Sequence, residues 1–146
     1  MKKKSLNTTK IKSFKLNYQK TIKKLKEYAE KHIKEKKAKT IILIRSLARG
    51  DYTAYSDADI IIISDNVPKR PIDRITEYID PTLPIDIQLI VYTTQEITKM
   101  AKQKRKIIKE IITHGKILAG NKQIINKLKQ LTQQQNHTNK NKKQTT

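Results

Sequence analysis

The chain has 146 residues, the size of one domain, with 33 Lys+Arg against 13 Asp+Glu and a formal net charge of +20. It contains no cysteine, so disulfides, thiolate metal sites and cysteine nucleophiles are excluded. No stretch approaches the roughly 20 apolar residues of a membrane span, and no apolar signal region follows the basic N-terminus, so the expected setting is cytoplasmic, with no membrane partner.

The charge excess predicts attraction to polyanions: nucleic acid, nucleotides or an acidic partner. Acids are too few to make ion-pair networks the reason for so many lysines. One Phe and no Trp do not indicate a base-stacking platform, although six Tyr leave that option open.

Residues 1–12 read as a basic flexible N-terminus, residues 13–131 as the folded domain, and residues 132–146, rich in Gln, Asn, Lys and Thr, as a disordered polar tail. From about Phe14 to Lys36 the residues Tyr18, Ile22, Leu25, Ala29 and Ile33 recur at helical spacing with lysines between them. Thr40 to Ile44 is a continuous apolar, β-branched run, as in a strand buried on both faces. A polar, turn-rich segment covers Arg45 to Ser56. A second strand is predicted from Asp57 to Ser64, a short helix from Ile72 to Ile79, and a third strand from Ile85 to Tyr92. Thr94 is the expected N-cap of a helix whose face runs Ile97, Met100, Ala101, Ile108, Ile111 and Ile112, with Gly115 as its C-cap. Lys116 to Ala119 is a short strand candidate, and Asn121 caps a last helix bearing Ile124, Ile125, Leu128 and Leu131. The order of elements implies a mixed α/β or α+β domain, with a small sheet flanked by helices and extra helices at both ends.

The second strand places Asp57, Asp59, Ile61 and Ile63 on one face. In the third strand Asp86 and Gln88 share a face, opposite Ile85, Ile87 and Leu89. If the strands are neighbours in suitable register, three carboxylates converge. Two like charges about 4 Å apart repel by about 4 kcal/mol at an effective dielectric of 20, so protons or cations must neutralise them. Mg²⁺ suits oxygen ligands of this kind, and two such ions can serve an attacking hydroxyl and a leaving pyrophosphate. An Asp-x-Asp pair alone is more often a cap or a solvated strand end than a catalytic site. The histidines, His32, His114 and His137, show no zinc-ligand spacing, and three glycines cannot build a P-loop or a dinucleotide-binding loop.

The run Leu43-Ile44-Arg45-Ser46-Leu47-Ala48-Arg49-Gly50-Asp51, followed by Ser56-Asp57-Ala58-Asp59-Ile60, resembles the minimal nucleotidyltransferases of the DNA polymerase beta superfamily. Ten residues separate Ser46 from Asp57, as in that family. Asp86 after Pro84 fits its third acid, Gly115 to Leu118 resembles the short strand that closes its domain, and the resemblance covers about residues 38 to 120. It implies the polymerase beta-like fold and transfer of a nucleoside monophosphate, AMP above all, from an NTP (ATP favoured) to a hydroxyl of a protein or nucleic acid. Asp57, Asp59 and Asp86 would be catalytic and metal-binding, with two Mg²⁺ ions. Arg45, Ser46 and Arg49 would bind the nucleotide, Ser46 with backbone N–H groups of its turn. An ion pair to Asp51 or Asp65 is the competing role for Arg49. Small members of the family pair with a helical HEPN-type protein in toxin–antitoxin modules and transfer AMP to its tyrosine, so such a partner is implied in trans. A homodimer is compatible with the amphipathic terminal helices.

One residue departs from the family pattern: Arg45 stands where the family has glycine. Glycine lets backbone approach phosphate closely and adopt an unusual dihedral. Arginine there could bind phosphate bidentately, point away, or lie across the acids as a built-in cation that displaces the metal. The last option leads to a second functional reading, an inactive fold serving as a basic nucleic-acid- or protein-binding module.

Overall fold

The computed structural model describes residues 17–133. The first helix, α1, spans Tyr18–Lys34. Strand β1 (Thr40–Ile44) runs directly into a short helix α2 (Arg45–Arg49). Strand β2 spans Ala58–Ile63. A helical turn α3 (Pro71–Arg74) continues as a 3₁₀ turn over Ile75–Tyr78. Strand β3 (Ile87–Tyr92) is followed by helices α4 (Thr94–Lys102) and α5 (Lys106–His114) and by strand β4 (Lys116–Gly120). Residues 124–133 are helical and are called α6. The expected N-terminal segment and the tail beyond 133 lie outside the described residues, while 132 and 133 belong to α6.

The sheet order is β3-β2-β1-β4. β1 is antiparallel to both β2 and β4, and β2 is parallel to β3. β1 is therefore a central strand, which is why its five residues, all buried, are apolar except Thr40. The alternation of side chains divides the core in two. Ile41, Leu43, Ile60 and Ile62 meet Leu25, Tyr28 and Ala29 of α1 on one side. Ile42, Ile44, Ile61 and Ile63 meet Ile97, Ala101, Ile108, Ile111, Ile124 and Leu128 on the other. Fully burying side chains of this size stabilises the fold by about 1.5–3 kcal/mol each.

A parallel β2–β3 pair needs a crossover, and α3 with its 3₁₀ turn supplies it. Tyr78 buries its ring in the α1-side cluster and Arg74 anchors the start. The single helix predicted after β3 is two helices. Lys104 takes a left-handed φ of 55° and Arg105 is extended, which turns the chain between α4 and α5. The N-cap is Thr93 rather than Thr94: its side chain accepts from the Glu96 N–H, while Glu96 accepts from the Thr93 N–H in a capping box. Thr94 instead donates to Asp65 through both its backbone and its hydroxyl. The segment from Arg45, read as turn, opens with α2, because the short apolar pair Leu47-Ala48 packs into the core.

Candidate active site at the ends of strands β2 and β3

β2 and β3 are in parallel register with Asp59 opposite Gln88 and Ala58 opposite Ile87. The Ala58 N–H donates to the Asp86 carbonyl at 2.9 Å, which ties the entry to β2 to the residue before β3. Asp57, Asp59, Asp86 and Gln88 thus share the sheet face that carries Ile61 and Ile63 further along β2. The loop before Asp57 is shaped by a compact turn in which the Thr53 N–H donates to the Ser56 hydroxyl at 2.8 Å and the Ser56 N–H donates to the Thr53 carbonyl at 3.1 Å.

The three acids differ in their surroundings. Asp57 is half-buried, and its Oδ2 accepts from Gln88 Nε2 at 3.0 Å. Asp86 is exposed, and with Asp57 it lines a pocket of about 340 Å³ walled by Tyr55, Ser56, Leu83 and Pro84. Asp59 is half-buried, with 16% of its side chain accessible, and its Oδ1 accepts from Arg45 Nη1 at 3.3 Å. Burial pushes the Asp59 carboxyl above its ordinary range and the charge of Asp57 adds to this, while the Arg45 and Arg49 guanidinium groups pull it back.

Arg45 is the first residue of α2, with a left-handed φ of 62° at a non-glycine position. Its guanidinium is directed onto the acid face. Ser46 follows it, half-buried in the same turn. Arg49 makes ion pairs with Asp51 at 3.2 Å and with Glu110 of α5 at 3.0 Å, not with Asp65. Asp65 is paired with Lys39 and accepts from Thr94. Gln88 is a site residue whose interaction the sequence hid: its alternation with Asp86 placed it on the right face, but only the register shows that it reaches Asp57.

The donor chemistry suits a hard divalent cation, since the acidic groups on this face offer carboxylate oxygens and a magnesium ion takes one or two of them alongside substrate phosphates. Asp57 and Asp86, on one pocket, meet that requirement. Among the described residues, however, no three His, Cys, Asp or Glu side chains are gathered into a group able to hold an ion, so the three acids share a face without closing into a triad.

The profile described as polymerase beta, nucleotidyltransferase matches residues 23–124, more than half of the chain. The chain belongs to this family. A curated relative, "Putative protein adenylyltransferase MJ1305" of Methanocaldococcus jannaschii, is 54% identical over 35 residues, which are 24% of this chain and 24% of that protein. The match thus spans about a quarter of the relative's length. Two solved structures share the polymerase beta-like fold. One, a toxin-antitoxin with AMP-PNP, superposes with a TM-score of 0.55 at 18% identity, covering 82% of this chain and 93% of that chain. The other, a mutant of the toxin-antitoxin MntA-HpeT, gives 0.51 at 15% identity, covering 85% and 93%. The mixed four-stranded sheet with helices on both faces is the expected nucleotidyltransferase architecture. No helix among the described residues is long and apolar enough to cross a membrane.

Proposed function

We propose that this domain transfers a nucleoside monophosphate, with AMP favoured, from an NTP to a hydroxyl of a protein or nucleic-acid acceptor. The observation that carries this reading is the placement of Asp57, Asp59 and Asp86 on one sheet face at adjoining ends of two parallel strands, inside a segment of nucleotidyltransferase family. In the reaction the acceptor oxygen forms a bond to the α-phosphorus, the bond from that phosphorus to the bridging oxygen breaks, and pyrophosphate leaves. Mg²⁺, when bound, would neutralise the triphosphate and ease departure of pyrophosphate.

The protein's own groups have separable tasks. Asp57 and Asp86, facing one pocket, are the residues we assign to the cation. Asp86, the exposed one, is also placed to receive the acceptor's proton. Gln88 orients Asp57 by donating to its Oδ2. Ser46 and the N–H groups of its turn are assigned to the terminal phosphates, and Arg45 lies at the same turn. Arg49 is tied to Asp51 through Nε and to Glu110 through Nη1, so we assign it the seating of α2 against α5, with its remaining N–H groups left to a phosphate. AMP is favoured because a curated relative is named an adenylyltransferase and one structural neighbour carries AMP-PNP. The two solved neighbours are toxin–antitoxin proteins, which supports a separate protein partner in trans; that this partner is of helical HEPN type is what the sequence resemblance implies.

The test is thermal unfolding with ATP, GTP, CTP or UTP, with and without Mg²⁺, on the wild type and on Asp57→Asn. A Mg²⁺-dependent rise with ATP that the variant lacks is expected, corresponding to about 2.7 kcal/mol when the nucleotide is at a hundredfold its Kd. A protein that melts cooperatively yet responds to none of the four nucleotides rejects the reading. The Arg45–Asp59 ion pair favours one alternative, an inactive fold that binds polyanions by charge. That alternative predicts salt-sensitive binding unchanged by Asp57→Asn.

A further inference from the structure

We propose that the Arg45 guanidinium replaces one of the two divalent cations that two-metal phosphoryl-transfer sites use, leaving this site a place for a single ion. The inference rests on the nucleotidyl-transfer reading above and deepens it.

Three observations carry it. The first is conformational. Arg45 has a φ of 62°, a region in which glycine is at ease and a side chain is not. A strained non-glycine residue beside a site points to a task for its side chain. The second is placement. Asp59 is half-buried, lying between the end of β1, where Ile44 is its partner, and Gln88 on β3. The group that meets its charge is Arg45, at 3.3 Å. The third is charge. Three ionised carboxylates carry −3, and a guanidinium, which cannot be deprotonated in proteins, adds +1. The sum is −3 + 1 = −2, the charge one divalent ion neutralises. Without Arg45 the −3 would call for two ions. The geometry agrees with this division, since the remaining pair, Asp57 and Asp86, lines one pocket and Asp59 does not. The arginine charge is permanent, so a third of the carboxylate charge is offset before any metal or nucleotide arrives.

The experiment counts Mn²⁺ ions bound to the full chain by calorimetry, with and without a non-hydrolysable ATP analogue, for the wild type, Arg45→Gly and the double variant Arg45→Gly/Asp59→Asn. Glycine suits the backbone at this position, so Arg45→Gly is expected to fold, which a melting curve checks. The expected result is one Mn²⁺ per wild-type chain, two for Arg45→Gly, and a return to one for the double variant. Equal counts in wild type and Arg45→Gly, including none in either, overturn the proposal. A rise from one to two ions in a protein that never binds the ATP analogue supports the role of Arg45 while sinking the transfer reading. An equal count with the analogue bound sinks the role of Arg45 alone.

Discussion

Arg74 is a cation almost without contact with water, at 4% exposure. Its guanidinium donates to Glu96 at 2.6 Å and to the carbonyls of Pro68, Lys69 and Val91, so every face of the group has an acceptor. Nothing in its sequence position distinguishes it from the other arginines, because the acceptors are carbonyls of one loop and a strand and the carboxylate of Glu96 on α4. Arg74→Met removes the donor and leaves those carbonyls unmet, and is expected to destabilise the fold by about 3 kcal/mol in urea unfolding. His32 is the opposite kind of buried group. Its ring packs edge-on against Tyr28 at 4.7 Å and Tyr78 at 5.3 Å between centroids. Burial and then the charge of Lys37 push its pKa below the ordinary value, with Lys31 adding to them and Glu35 and Asp80 opposing. The fold therefore prefers neutral His32. Its contribution is complete above about pH 6.5 and is lost as pH falls through the lowered folded value. Urea unfolding should show stability falling from pH 7 to pH 5, and His32→Phe should flatten that slope.

The helices and strands were readable where one periodicity dominated. Thr40 to Ile44 matches β1 because an unbroken β-branched run has few other homes. Alternation along β2 and β3 correctly placed the acids on one face, while their register was not readable, since it depends on which strands become neighbours. The break between α4 and α5 escaped because the apolar spacing continues across it and neither Lys104 nor Arg105 is a residue that marks a turn. Gly115 is the C-cap of α5, where the sequence places a helix end, but it does not need glycine's left-handed backbone. Its φ is −60°, which any residue adopts. What excludes a side chain is space, because a Cβ there would lie 2.5 Å from the Ile111 carbonyl oxygen. Gly115→Ala should therefore cost about 1–3 kcal/mol, measured by chemical unfolding, by pushing the end of α5 away from the start of β4.

The fold as a whole is an electrostatic compromise. A chain of net charge +20 concentrates three carboxylates on one face, where they offset part of the surrounding positive potential and set the site apart from the lysine-rich surface. The family resemblance and the acids were visible in the chain alone because they sit at fixed spacing. The pairing of Arg45 with Asp59 was one of three readings the chain left open, and only the meeting of β1 with β2 decides which neighbour the guanidinium finds.

The central place of β1 has a consequence for how the protein is made. Its two flanking strands come from very different points in the chain: β2 follows within twenty residues, whereas β4 does not begin until Lys116. During synthesis the far edge of β1, a row of isoleucine and leucine backbone, stays unpaired until nearly the whole domain has left the ribosome. A nascent or truncated chain ending before β4 would present that edge to its neighbours, the situation in which strands from separate molecules add to one another and aggregate.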